Sequence, residues 1–233
     1  MKKLLTVFGC FAAVALLGAG ETLDAAKTFE VDYRSGKTAP VVAKGSVASK
    51  VVLETAPEFS AQGVVIGKNK ASLRYEASGN LNPSSGAIEM VIENTDLNWN
   101  DKSKLILIQC IGKDLTFYIY KHSTDGLGAY FGVRGEKKWS AFPRAVPAKL
   151  GGKKLYHLVI NYSDKNVQCF VDGKLMRSIN VSNAPEAFGK YFFVGPAGSK
   201  FGREAVATVS KIAAYNRPLS GSEVAEAAAK VEQ

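Results

Sequence analysis

The chain has 233 residues, 46% hydrophobic and 22% charged, a balance that excludes a disordered, collagenous or many-spanning membrane protein and fits one globular domain. Thirty lysines and arginines against twenty-one aspartates and glutamates give a formal charge of +9, which points to polyanionic partners such as nucleic acid, anionic lipid or acidic glycan. Three cysteines and two histidines are too few for a zinc cluster or a disulfide-stapled miniature fold, so stability must rest on a packed core.

Met1-Lys2-Lys3 is a cationic start, Leu4 to Leu17 is apolar without a charge, and Gly18-Ala19-Gly20 places small residues before Glu21. Residues 1–20 therefore read as a secretory signal peptide. The apolar run is short for roughly 30 Å of hydrocarbon, and small residues follow it where an anchor needs flanking charge. Val7-Phe8-Gly9-Cys10 departs from a lipoprotein box at bulky Phe8. The expectation is export to the periplasm, cell surface or medium, with residues 21–233 as one mature domain that has no membrane span. Losing Lys2 and Lys3 and no acidic residue lowers the charge from +9 to +7. Cys110 and Cys169 then sit where disulfides form. A bridge would close a loop of about 60 residues, worth on the order of 4 kcal/mol, while two separate buried thiols fit the same alternation.

The mature chain reads as short strands punctuated by turns. Phe29, Val31 and Tyr33 alternate with polar residues; further β-like runs are 50–54, 64–66, 72–75, 86–93, 104–111, 115–121, 129–134, 156–162, 167–171, 175–179, 191–194 and 205–214. Asp172-Gly173 between two such runs predicts a two-residue hairpin. At the end, Ser220-Gly221-Ser222-Glu223 is a capping box, with Leu219 and Val224 placed as a staple before the alanine-rich 225–231. Many strands and one terminal helix predict an all-β sandwich or jelly roll of two antiparallel sheets with a short C-terminal helix.

From about Ala71 onward the sequence resembles the laminin G-like, concanavalin A-like lectin/glucanase jelly rolls of secreted bacterial proteins. Four segments carry the resemblance, in order: Asn80-Leu81-Asn82-Pro83-Ser84-Ser85-Gly86-Ala87-Ile88-Glu89, Leu155-Tyr156-His157-Leu158-Val159-Ile160-Asn161-Tyr162, Cys169-Phe170-Val171-Asp172-Gly173-Lys174, and Ile212-Ala213-Ala214-Tyr215-Asn216-Arg217-Pro218-Leu219-Ser220. Leu155 departs from the family's usual Trp. The resemblance implies the fold over two-thirds of the chain and leaves function open, because lectins, adhesion modules and laminarinase-like hydrolases share it.

A retaining glycosidase needs two carboxylates about 5 to 5.5 Å apart. Glu30-Val31-Asp32 lacks the third carboxylate, Arg34 standing there, and Glu89-Met90-Val91-Ile92-Glu93 has Val91 at the middle position. Both sets read as solvent-facing strand carboxylates. No Gly-x-Ser-x-Gly elbow is present, so no residue is assigned a catalytic role. No cofactor is required. Calcium is the one metal the sequence suggests, because Asp96, Asn98, Asn100 and Asp101 alternate oxygen ligands, although Asp101 and Leu107 break the EF-hand pattern; the resemblance implies the same, since related laminin G-like modules often hold such an ion.

The strongest binding signal is a face. With Phe117, Ile119, Phe131, Val133, Leu158, Ile160, Cys169 and Val171 inward, alternation turns Tyr118, Tyr120, Tyr130, Arg134, His157, Asn161, Gln168 and Phe170 outward. Sugars stack their C–H faces on rings and give their hydroxyls to amides, imidazoles and guanidiniums, so this mixture suits them. Trp99 and Trp139 in polar loop contexts extend it. Lysines are scattered over many turns with no aromatic-interleaved stripe, which argues against nucleic acid. The expectation is an exported, non-catalytic, lectin-like domain binding a polysaccharide or glycoconjugate, with a bias toward anionic ones. The alternative is a structural or adhesion protein whose partner is an envelope protein, and a glycoside hydrolase ranks third.

Overall fold

A computed structural model describes residues 21–45, 50–52, 56–67, 69, 72–93, 102–111, 115–122, 126–133, 140–141, 155–180, 188–197 and 202–231. In chain order the strands are β1 (Lys27–Asp32), β2 (Val42–Ala43), β3 (Lys50–Val52), β4 (Glu58–Ser60), β5 (Gly63–Gly67), β6 (Ser72–Glu76), β7 (Gly86–Glu93), β8 (Leu105–Ile111), β9 (Leu115–His122), β10 (Gly126–Val133), β11 (Ser140–Ala141), β12 (Leu155–Tyr162), β13 (Asn166–Val171), β14 (Lys174–Asn180), β15 (Tyr191–Val194) and β16 (Val206–Tyr215). A one-turn helix α1 (Leu23–Ala26) precedes β1, and α2 (Gly221–Ala229) follows β16.

These strands pair antiparallel into two sheets. The first runs β14-β13-β12-β7-β16-β1-β2, with β5 also on β16 and β4 on β5; the second runs β11-β10-β9-β8-β15-β6-β3. The result is the expected all-β sandwich with a short C-terminal helix. Residues before 71 complete it, since β1 and β5 both pair with β16.

Period-two alternation sorts the side chains. Ile88, Met90 and Ile92 of β7, Tyr156, Leu158 and Ile160 of β12, and Val167, Cys169 and Val171 of β13 face Leu73, Phe117, Ile119 and Phe192 of the second sheet in one core. Aromatic edges join the layers: Phe29 of β1 lies 5.0 Å from Tyr75 and 5.1 Å from Phe192 between ring centroids. The Asp172-Gly173 hairpin forms as predicted, with φ of +48° and +76°, the left-handed pair such a turn requires.

Two bulges break the alternation. In β8 the register shifts between Ile106 and Ile108, so Leu105 and Leu107 join Ile108 and Cys110 in the core while Ile106 does not. In β16 the shift lies between Val209 and Lys211. Strict alternation from buried Val209 would drive Lys211 inward; the extra residue Ser210 turns it to the outer face.

Both cysteines are buried and free. Cys110 lies on β8 of the second sheet and Cys169 on β13 of the first, and of the two arrangements the alternation left open the structure has two separate core thiols. Burial pushes each thiol up to about 12, and the Cys110 Sγ donates to the Tyr191 carbonyl at 3.3 Å.

The segments that carry the family resemblance bind one another and β1. Asn82 Nδ2 donates to Asn216 O at 3.0 Å, Tyr162 Oη to Asn82 O at 2.7 Å, and Thr28 Oγ1 to Asn80 O at 2.7 Å. Asn161 clamps the turn before α2, accepting from Leu219 N at 3.0 Å and donating to Leu219 O at 2.7 Å. The helix then lays Val224 against Val159, Phe170, Ala213 and Tyr215 on the outer face of the first sheet.

Candidate binding faces and the charged cleft

The outward residues grouped by alternation fall on two opposite faces. Tyr118, Tyr120 and Tyr130 belong to β9 and β10 of the second sheet, whereas His157, Asn161, Gln168 and Phe170 belong to β12 and β13 of the first. The sandwich separates them, so they cannot form one platform. On the first sheet His157, Asn161 and Phe170 are also buried. Asn161 is spent on Leu219, Gln168 Oε1 accepts from Asn161 at 3.3 Å, and Phe170 lies in the helix-covered cluster. Arg134, Trp99 and Trp139 lie outside the described residues, as do Asp96, Asn98, Asn100 and Asp101. Among the described residues no group of three or more His, Cys, Asp or Glu could hold a metal ion, and no helix is long and apolar enough to cross a membrane.

On the second sheet, register aligns Arg74, Phe193, Gln109, Tyr118 and Tyr130 as successive partners across β6, β15, β8, β9 and β10. At 4.7–4.9 Å per strand this row spans roughly 19 Å. Arg74, Phe193 and Tyr118 are half-buried and alternate with core neighbours, so they face outward. Arg74 lies over the Tyr191 ring at 4.4 Å, and Lys190 approaches the same ring at 5.2 Å. Gln109 is fully buried at the row's centre, its Nε2 donating to Ala197 O at 2.7 Å. Tyr120, beside the row, is half-buried, and burial raises its phenol above the ordinary range. Arg74, Gln109, Tyr191 and Phe193 escaped the sequence reading although each alternates with core residues; strand order, which brings β15 and β6 beside β8, carries no local signal.

On the first sheet, a cleft of about 360 Å³ opens between the strands and the two helices. Glu89 forms its floor. Its direct partners across the strands, Val159 and Ala213, are apolar, so its carboxylate turns to diagonal neighbours. Oε1 meets His157 Nε2 at 3.2 Å and Lys211 Nζ at 3.2 Å, and Oε2 accepts from Tyr215 Oη at 2.5 Å. Burial alone would raise this carboxyl; the His157 hydrogen bond, the Lys211 charge and the Tyr215 hydroxyl outweigh it and hold Glu89 down at about 2. Lys211 continues to Glu30 at 3.6 Å, and Glu30 to Lys27 at 2.6 Å. The two carboxylate sets read as solvent-facing thus supply Glu30 and Glu89 to one network, with Glu89 only 1% exposed. Their meeting depends on the Ser210 bulge.

Residues 68–225 match a laminin G family model described as the concanavalin A-like lectin/glucanases superfamily. Among solved structures the fold is similar to that of botulinum neurotoxin type C, whose cell entry depends upon interaction with two ganglioside molecules: 13% identity, TM-score 0.69, 89% of this chain and 52% of that one. It is similar also to the binding domain of botulinum neurotoxin DC in complex with rat synaptotagmin II, at 12% identity, TM-score 0.69, 90% of this chain and 52% of that one. The DC domain in complex with SialylT gives 11% identity, TM-score 0.67, and coverage of 88% and 52%. At such identities the likeness is one of fold, and the chain spans about half the length of these structures. No curated protein matches it.

Proposed function

Because the chain belongs to the laminin G family of the concanavalin A-like lectin/glucanases superfamily, we propose that it is an exported, non-catalytic binding domain for a polysaccharide or glycoconjugate. The ligand lies on the outer face of the second sheet. The row of Arg74, Phe193 and Tyr118 in register across the second sheet carries this reading, since rings and a cation spread over a sheet offer stacking and hydrogen bonding to successive sugar units. The solved neighbours described with gangliosides and SialylT support a carbohydrate ligand for the fold. Export rests on the signal-like residues 1–20.

The His157, Lys211 and Tyr215 contacts keep Glu89 ionised, which does not suit the acid role of a glycosidase, and Val91 stands where that enzyme's middle carboxylate would be. A protein partner is the second reading, favoured by β14, which ends the first sheet and leaves Leu175 half-exposed at 51%. A polysaccharide array, with calcium added or chelated, tests the first reading. Binding to at least one glycan should weaken about tenfold or more in Tyr118→Ala and Tyr120→Ala, as loss of an aromatic contact implies, with circular dichroism unchanged. No binding to any glycan, or full binding by both variants, overturns it.

A further inference from the structure

We infer that the cleft on the first sheet is a second, separate binding site, for an uncharged polyhydroxylated ligand of monosaccharide size. Its volume of about 360 Å³ falls in the range of small-ligand pockets. The lining carries four carboxylates and four cationic side chains, and neither sign is left over. Lys27 pairs with Asp24 and Glu30, Lys211 with Glu30 and Glu89, Arg34 with Asp32, and Lys230 with Glu226 on the helix beside the cleft. An anionic ligand at Lys211 would have to displace a carboxylate, and a cationic ligand at Glu89 would have to displace Lys211. A hydroxyl group needs neither, because it donates and accepts at once.

The network leaves a place for one. Lys211 and Glu30 stand 3.6 Å apart, attracted but too far for a hydrogen bond. Glu30 Oε2 holds Lys27 Nζ at 2.6 Å on one side, and among the described residues no hydrogen bond reaches it on the Lys211 side. An inserted hydroxyl would donate to that oxygen and accept from the Lys211 ammonium. Val91 and Leu155 from the sheet and Ala227 and Val231 from the helix end supply an apolar side to the same cleft, against which the C–H face of a sugar ring packs.

The test is a chemical-shift titration of the ¹⁵N-labelled mature chain with D-glucose, D-galactose and D-mannose, alongside glucuronic acid and glucosamine. At least one neutral hexose should shift the amides of Val91 and Lys211. Lys211→Gln and Ala61→Trp should each weaken that hexose about tenfold or more. Ala61 is an exposed turn residue at the cleft wall, so its replacement fills the mouth without entering the core, and glycan binding by the tyrosine face stays unchanged. The inference falls if no neutral hexose moves these amides, if Ala61→Trp binds as tightly as the natural chain, or if a charged sugar binds about tenfold tighter than its neutral parent. Polysaccharide binding at Tyr118 stands or falls independently of each outcome.

Discussion

Glu89 concentrates the electrostatics of the first sheet in one carboxylate. Its folded-state value of about 2 lies below the ordinary 4.5, so the stabilisation is fully present above pH 4.5 and is lost as pH falls toward 2, amounting to on the order of 3 kcal/mol. Urea unfolding between pH 2 and 6 should show that slope, and Glu89→Gln should flatten it while lowering stability near neutrality, where Lys211 then lacks one of its carboxylates. Glu223, also held at about 2 by its Arg217 hydrogen bonds, titrates in the same window, so the difference between natural chain and variant is the informative quantity. Asn161 makes a second test. Asn161→Ala strands the Leu219 amide and carbonyl, so it should cost about 2 kcal/mol in a denaturant melt and leave glycan binding on the other sheet intact. Both residues were visible in the sequence, but what they do was not: a carboxylate or amide on an alternating strand looks solvent-facing until a lysine or a backbone turn is brought to it from a distant segment.

The terminal helix shows the same division. Its capping box forms as the sequence predicts, Ser220 Oγ accepting from Glu223 N and Glu223 from Ser220 N. Ser220→Ala should cost about 1 kcal/mol and raise amide exchange first within 221–224. Where the helix docks was not legible, because its apolar stripe of Val224, Ala227 and Ala228 fits any flat apolar surface. That is why His157 and Phe170 read as open platform residues. Strands with clean alternation, β7 and β15, match their predicted bounds. The elements missed are short: α1, β2, β4 and β11 have two to four residues each, less than two periods of any pattern. Bulges are invisible for a related reason, since one inserted residue leaves composition unchanged while reversing every side chain beyond it. Deleting Ser210 should therefore leave strict alternation, with Val209 inward, Lys211 outward and Ile212 inward, and thermal melting should remain cooperative.

Across the molecule, the two layers are joined by packing and not by covalent bonds. Free, buried Cys110 and Cys169 should resist thiol reagents in the native state and both react in denaturant, and reduction should leave the melting temperature unchanged. A drop equivalent to about 4 kcal/mol on reduction would establish a bridge instead. Fold class and the inward or outward sense of most strand residues were legible because they are local; which faces coincide was not, because it depends on strand order. That order assigns an unusual position to β16. Among the described strands it alone joins three neighbours, β7, β1 and β5, and without it the first sheet falls into unconnected pieces, β14 to β7, β1 with β2, and β4 with β5. Yet among the described strands it comes last in the chain. A nascent chain halted before Val206 holds both margins of the sheet and no middle, so β1 must wait for its partner until every strand through β15 has been made. Any channel, chaperone or protease that handles the emerging polypeptide meets it while its largest sheet is still open.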